Sequence, residues 1–326
     1  MQKGFEKTGG IQLILTFDGY EDDINAYPEI DEILKARLGH LIKGKNSTTR
    51  KPHGIVLGLP GAGHEELERI EGLVKMIGHI EFLETYKRQE VFGYFYKANK
   101  LICDKMNKTI DSSLFYDEWD RAMFTEKKLK ENYPVFEYLV PNTIIDTQNY
   151  YYNYEGNVAA FSFKKDITQV DSMLKDPDIR NAFPSNLHFY WSAKGIDEEN
   201  KYFELYAVYK GNDKSIIDNA FIKESQVTLT RRRIWATFIE FTKGGRELWA
   251  NLTGDNVDNF IAICLDRQVY SCPLVQAKIS GGKAMLSGDF SKEQAFDLNA
   301  VISNPALPVQ LEILKTQVVG SKRKKN

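Results

Sequence analysis

Cysteine is scarce: the 326-residue chain carries three, Cys103, Cys264 and Cys272. An odd, sparse set excludes a disulfide framework as the basis of the fold. Cys264 and Cys272 flank an expected hairpin, where a cross-strand bridge is conceivable; the preferred reading is small buried hydrophobes. Histidine is nearly as rare. The five, His40, His53, His64, His79 and His188, include no pair at ligand spacing, which speaks against a catalytic zinc. His64-Glu65 opens like the metalloprotease H-E-x-x-H, but the closing position is Glu68. There is no G-x-S-x-G elbow, and no cysteine stands near a histidine partner in sequence. No apolar run approaches the roughly 18 residues that cross a bilayer. Residues 1–10, MQKGFEKTGG, carry charge without the apolar core of an export signal. An excess of one charge is missing too: 43 Lys+Arg against 45 Asp+Glu leave a net charge of -2. No global field therefore marks a nucleic-acid or membrane-surface binder.

What is present is ordinary globular composition, with 42% apolar, 27% charged and 12% aromatic residues. Such a chain can bury substantial cores and is long enough for two or three domains. Residues 11–17 alternate as a strand. Pro28 suits a helix start, and Ile30, Ile33, Leu34, Leu38, Leu41 and Ile42 repeat at helical spacing. Residues 45–51 are a short hairpin partner for a strand at 55–59, a helix follows over 67–77, and a strand at 79–85 closes the unit. The order is βαββαβ.

The last hundred residues repeat that order. A strand at 234–241 leads to a helix at 243–252, then a hairpin of 260–265 and 269–276 about Asp266-Arg267-Gln268. Ser291 caps a helix with Gln294 three residues on, and residues 309–314 form the final strand. Between the two lies an insertion with a helix carrying Val91, Tyr94, Phe95 and Ala98, and strands at 135–140 and 158–163. A short helix at 170–174 and a strand pair of 187–193 with 203–209 follow. Residues 149–154, NYYYNY, read as a loop or edge. The fold class is therefore α+β, with two ferredoxin-like lobes and an α+β insertion. Its boundaries are 1–87, 88–225 and 226–318, followed by a basic tail at 319–326.

Gly58-Leu59-Pro60-Gly61-Ala62-Gly63 lies between strand and helix, where phosphate loops occur. The lysine and hydroxyl residue of such a loop are replaced by His64 and Glu65, and Glu65-Glu66 would repel a phosphate. Asp22-Asp23 and Asp197-Glu198-Glu199 read as solvated turns. Arg231-Arg232-Arg233 and the cluster 322–325 read as a solvated edge and a tail. The tail could instead rest on anionic lipid, and the arginines leave an RNA-binding ferredoxin-like protein as an alternative. Trp191, Tyr206, Trp235 and Tyr270 fall on expected strands; as a set they could line an apolar groove for polypeptide.

The C-terminal punctuation carries a resemblance. Leu265-Asp266, Pro273-Leu274-Val275-Gln276, Ile279-Ser280-Gly281-Gly282-Lys283, Leu286-Ser287-Gly288-Asp289-Phe290 and Leu307-Pro308 follow one another with few spare residues. Together they resemble the extracytoplasmic P1 domain of the SecD/SecDF protein-export family. Leu59-Pro60-Gly61, Gly9-Gly10-Ile11-Gln12-Leu13, residues 80–86, residues 176–191 and the L-T-x-x-N of Leu252 to Asn256 resemble further segments of that family, in order. The resemblance implies a non-catalytic module that binds unfolded preprotein outside the cytoplasmic membrane, with Sec translocase components as partners. It implies no cofactor, metal, small-molecule substrate or nucleic acid, and contact with the membrane only indirectly. Proton-carrying residues of the family lie in membrane helices, which this sequence does not show. Lys7-Thr8 departs from the family's start, and residues 321–326 stand where the family enters a second membrane helix. The chain is then either a piece of a larger translocase, periplasmic and membrane-associated, or a soluble paralogue that binds a folded partner. As a complete gene product it would be expected in the cytoplasm.

Overall fold

The computed structural model describes residues 5, 8–17, 28–42, 46–51, 54–106, 133–141, 144–145, 151–152, 156–211 and 217–320. The first elements are β1 (Gly10–Phe17), α1 (Pro28–Leu38), β2 (Ser47–Lys51), β3 (Gly54–Pro60), α2 (Leu67–Lys75) and β4 (Ile80–Glu84). Next come α3 (Arg88–Lys105), β5 (Val140–Pro141), β6 (Ile144–Ile145), β7 (Tyr151–Tyr152), β8 (Val158–Phe163), α4 (Ile167–Lys175) and α5 (Pro177–Arg180). Then β9 (Leu187–Ser192), β10 (Tyr202–Tyr209), β11 (Ile222–Leu229), β12 (Trp235–Phe241) and α6 (Lys243–Asp255) follow. The chain continues with β13 (Ile261–Leu265), β14 (Gln268–Ser271), β15 (Lys283–Ser287), α7 (Lys292–Ile302) and β16 (Leu311–Val319). The architecture is mixed α+β with several sheets. The chain forms two compact units of interleaved segments: 1–80 with 218–246 and 281–326, and 81–217 with 247–280.

The first unit holds a four-stranded sheet in the order β16-β1-β3-β2, with neighbours antiparallel throughout. The strand expected to close the N-terminal lobe, β4, joins the seven-stranded sheet instead, and β16 takes the place beside β1. Burial explains the exchange. Ile80, Glu81, Phe82 and Leu83 are all buried, so β4 needs cover on both faces. β16 has mostly exposed or half-buried residues and suits an edge. A bulge opposite Ile14 and Leu15 leaves Leu314 as the extra, exposed residue of β16.

Strands β11, β12 and β15 make a separate antiparallel sheet in this unit. Its helix-side face holds Thr237 and Ile239, and the Thr237 hydroxyl donates to the Ala295 carbonyl of α7 at 3.3 Å. Ser291 caps α7 as expected: its hydroxyl accepts from Gln294 N at 3.1 Å, and the Gln294 side chain accepts from Ser291 N at 2.9 Å. The strands assigned from sequence to one C-terminal lobe thus go to three sheets, because the 261–271 hairpin pairs elsewhere.

A charged cluster binds the helices of this unit together. Arg69 of α2 donates to both Asp297 oxygens at 2.9 Å, and His40 lies 2.7 Å from Oδ1. Burial alone would raise the Asp297 carboxyl, but the hydrogen bonds and charges of His40 and Arg69 outweigh it and hold it below the usual range. A depressed carboxyl adds stability above its unfolded pKa of about 3.9 and loses it as pH falls through the folded value. Asp297→Asn is expected to lower stability by about 1–2 kcal/mol at neutral pH. In urea titrations the difference from the unsubstituted chain should shrink as pH falls below the ordinary carboxylate range; a pH-independent difference would contradict this.

The second unit is built on a seven-stranded sheet, β4-β13-β14-β9-β10-β8-β5. Strands β9 and β10 pair as expected, with Leu205 opposite Trp191 and Tyr209 opposite Leu187. Bridges between Thr85 and Val208 and between Phe82 and Ile217 bring β4 back to the end of β10. The curled sheet encloses Leu83, Tyr190, Tyr206, Val208, Ala262, Cys264 and Val269. Its other face packs Leu205, Ala207 and Leu187 against Val91, Phe95 and Ala98 of α3 and Val170 and Leu174 of α4. The strand expected at 135–140 is a 3-10 turn, Pro134–Glu137, followed by the short β5. Pro134 opens that turn, where its missing N–H costs nothing. Cys103, Cys264 and Cys272 are free thiols, and burial pushes the Cys264 thiol well up. Asp22-Asp23 and the tail at 321–326 lie outside the described residues, as does all of 149–154 except β7.

Candidate functional site

The family-like motifs turn out to be places where backbone is pinned. Asp266 and Arg267 both have positive φ, 51° and 65°, so the hairpin turns on two residues rather than three. Past Pro273 the pairing resumes: Ile261 N donates to Pro273 O at 3.2 Å and Val275 N to Asn259 O at 2.8 Å. Thr253 is buried; its hydroxyl donates to Trp249 O at 2.7 Å and accepts from Ile279 N at 2.9 Å. Asn256 donates to Glu84 Oε1 at 3.0 Å and to Leu252 O at 2.9 Å. The L-T-x-x-N pattern therefore fastens the end of α6 to the 275–280 segment and to β4. Leu307 N donates to Ile77 O at 2.7 Å, which seats Leu307-Pro308.

Gly282, at φ +66°, leads into β15; a Cβ there would stand 2.8 Å from Arg246. In the loop after β3, Gly61 N donates to Gly9 O at 3.0 Å, and Gly63 N donates to the Glu66 carboxylate at 2.6 Å. The anion at this helix start is the chain's own glutamate.

The four candidate aromatics divide between the two units. Trp191, Tyr206 and Tyr270 are in the second unit and Trp235 is in the first. Tyr206 is only 7% exposed, and its hydroxyl donates to Glu204 at 2.8 Å. The Trp191 indole N–H donates to Asp171 at 2.8 Å, tying β9 to α4. Tyr270 is half-buried, and burial with the nearby Asp266 charge pushes its hydroxyl up to about 12. Trp235, half-buried at the start of β12, has the Phe296 ring 6.4 Å away.

The more accessible surface is the three-stranded sheet. β11 is an edge: among the described residues no strand pairs with its outer side. On the face away from α7, Phe238 is paired between Gln226 of β11 and Met285 of β15. Met285 is 39% exposed and Phe238 is half-buried. Beside them Lys223 donates to Glu240 at 2.7 Å, with Lys283 at 3.8 Å. Those lysines, Lys223 first, hold the Glu240 carboxyl below its usual range. An open main-chain edge beside an apolar strip with balanced charges is suited to adding an extended chain with little sequence preference. The sequence reading missed this edge. IKESQVTL has four polar residues in a row, Lys223 to Gln226, and no regular apolar/polar alternation, a weak strand signal.

Residues 197–309 match the family model for the SecDF P1 head subdomain. Among curated relatives, the protein translocase subunit SecD of Rhodothermus marinus is 28% identical over 166 residues, 51% of this chain and 27% of that protein. The subunit of the same name from Syntrophobacter fumaroxidans is 36% identical over 110 residues, 33% of this chain and 21% of that one. The chain thus spans about a quarter of the length of these relatives. A crystal structure of SecDF in a super-membrane-facing form shares the fold, with a TM-score of 0.52 at 16% identity over 96% of this chain and 31% of that one. The resemblance to the SecD/SecDF P1 region drawn from the motifs is thereby shown. Among the described residues no helix is long and apolar enough to cross a membrane.

Proposed function

We propose that this chain is a non-catalytic module of Sec-dependent protein export that holds translocating preprotein on the outer side of the cytoplasmic membrane. The observation that carries this reading is the β11 edge, eight residues long, within the region that matches the P1 head. An extended preprotein adds to that edge through main-chain hydrogen bonds, while Phe238 and Met285 receive its apolar side chains. The sheet bearing β16-β1-β3-β2 has the strand order of a ferredoxin-like lobe whose last strand is supplied by the C-terminus. This lobe acts as the base for the P1-type module, and its partners are components of the Sec translocase.

A photocrosslinking amino acid at Gln226, exposed on β11, tests the reading. It is expected to trap a translocating or unfolded polypeptide, whereas the same probe at an exposed position of α3, Lys100, should not. No polypeptide adduct at Gln226 would count against the proposal. A single stoichiometric adduct with a folded protein would favour the partner-binding alternative instead.

A further inference from the structure

The hairpin joining β11 to β12 has a composition to which the proposed polypeptide edge assigns no role. Its turn is fixed by its own hydrogen bonds: Thr230 N donates to Ile234 O at 2.9 Å, Arg233 N to Thr230 O at 2.9 Å, and Ile234 N to the Thr230 hydroxyl at 3.2 Å. Arg233 has φ +60°. Arg231, Arg232 and Arg233 are exposed, and the aliphatic residues on either side are exposed with them, Leu229 at 50% and Ile234 at 40%. Leu229 is paired with Trp235 across the strands. Behind the tip, the Lys292 ammonium lies 5.7 Å from the Trp235 ring and 5.9 Å from the Phe296 ring. Phe296 is itself exposed. Among the described residues no carboxylate forms an ion pair with the three arginines.

We propose that this tip is a peripheral contact for an anionic bilayer surface, with phospholipid headgroups as the ligand. Arginines set between two aliphatic side chains, with a tryptophan behind, match the two layers of a membrane interface. The guanidinium groups meet phosphate while Leu229 and Ile234 enter the headgroup–acyl boundary. The tip is a turn rather than a groove, and its main-chain groups bond to each other, so it offers an extended peptide little to pair with. Nucleic acid would use the arginines but gain nothing from exposed leucine and isoleucine. The Trp235 ring is also already flanked by Lys292 and Phe296. The proposal departs from the expectation of only indirect membrane contact. It is independent of polypeptide binding, which lies along the β11 edge and the Phe238–Met285 strip.

The test is co-flotation of the full chain with phosphatidylcholine vesicles, with and without phosphatidylglycerol at about a third of the lipid. Binding is expected only with the anionic lipid and should weaken as salt rises. Neutralising the tip, Arg231→Gln with Arg232→Gln and Arg233→Gln, should weaken it by about a hundredfold. Leu229→Ser with Ile234→Ser should weaken it by about tenfold or more at unchanged charge. Because Lys322, Arg323, Lys324 and Lys325 also attract anionic lipid, both sets are compared in a background with those four changed to Gln, where the losses should persist. Equal binding to neutral vesicles, or no loss on removing the arginines or the aliphatic pair, would overturn the proposal. Retention of single-stranded RNA that depends on the arginines but is indifferent to Leu229→Ser and Ile234→Ser would assign the cluster to nucleic acid and equally overturn it. Near-ultraviolet circular dichroism and the urea midpoint confirm that the variants fold.

Discussion

Gly78→Ala is expected to destabilise the chain by about 3–5 kcal/mol, a large effect for adding one methyl group. The cause is Arg37, which is wholly buried although it lies on a helix. Its Nη1 donates to Met76 O at 2.5 Å, and its Nη2 donates to Ile77 O at 2.6 Å and Pro305 O at 3.1 Å. One guanidinium thus holds the chain leaving α2 and the chain leaving α7. Asn219 fixes the same segment from the side, donating to Gly78 O at 2.8 Å and accepting from Ile80 N at 3.0 Å. A Cβ on Gly78 would fall on Arg37 Nη2 and stand 2.9 Å from Val301 Cγ1, at a φ of +87°. Positive φ costs a non-glycine residue about 1–3 kcal/mol. Displacing a charged donor from buried carbonyls costs about 1.5–3 kcal/mol for each bond lost.

The control is Gly72→Ala, exposed on α2, where an added Cβ meets nothing within 4 Å. That change should stabilise by up to about 1 kcal/mol. Gly78→Ala made in an Arg37→Met background should cost far less than in the unsubstituted chain, since the atom it strikes is gone. Urea midpoints of the unsubstituted chain, the three single variants and the double variant check this. Additive costs for Gly78→Ala and Arg37→Met would contradict the account.

Much of this fold was legible because it rests on local chemistry. The capping box at Ser291 and Gln294 and the alternation in β9 and β10 are signals contained within a few residues. Partner choice was harder. Periodicity places a strand at 80–84 but is silent on which sheet receives it, and the answer lies in residues more than a hundred positions away. The same holds for the pins. Arg37 is spaced with Ile33, Leu34 and Leu41 on the buried face of its helix, but its partners cannot be read locally, because the carbonyls that hold it come from other segments. The candidate aromatics were read as equivalent strand residues. Tertiary packing separates them: Tyr206 is buried and Trp235 half-buried. Only the hydrophobic content of a strand, not its closure, is written locally.

Lys210→Met should show the second large effect, about 2–3 kcal/mol at neutral pH, less than for a fully buried pair because 34% of the Lys210 side chain is exposed. Glu81 of β4 has 1% of its side chain exposed, and its Oε1 accepts from Lys210 Nζ at 2.7 Å. The Tyr190 hydroxyl, with the Arg267 guanidinium 5.6 Å from its ring, donates to Oε2 over a long 3.4 Å. Burial would lower the Lys210 ammonium, but the hydrogen bond and charge of Glu81 outweigh it and hold it above the ordinary value. A raised lysine contributes stability fully below its unfolded pKa of about 10.4 and loses it as pH rises through the folded value. The lysine therefore adds no pH dependence to the unsubstituted chain near neutrality. Removing it leaves the carboxylate charge in an apolar setting with Leu83 and Cys264. Pairing the change with Glu81→Leu removes both charges and should recover most of the loss, since an apolar pair of similar volume is often as stable as the ion pair. Urea midpoints of the single and double variants at neutral pH distinguish these outcomes. A loss below about 1 kcal/mol, with no recovery in the double variant, would mean that water reaches Glu81 and that the curled sheet is more open than its pairing indicates.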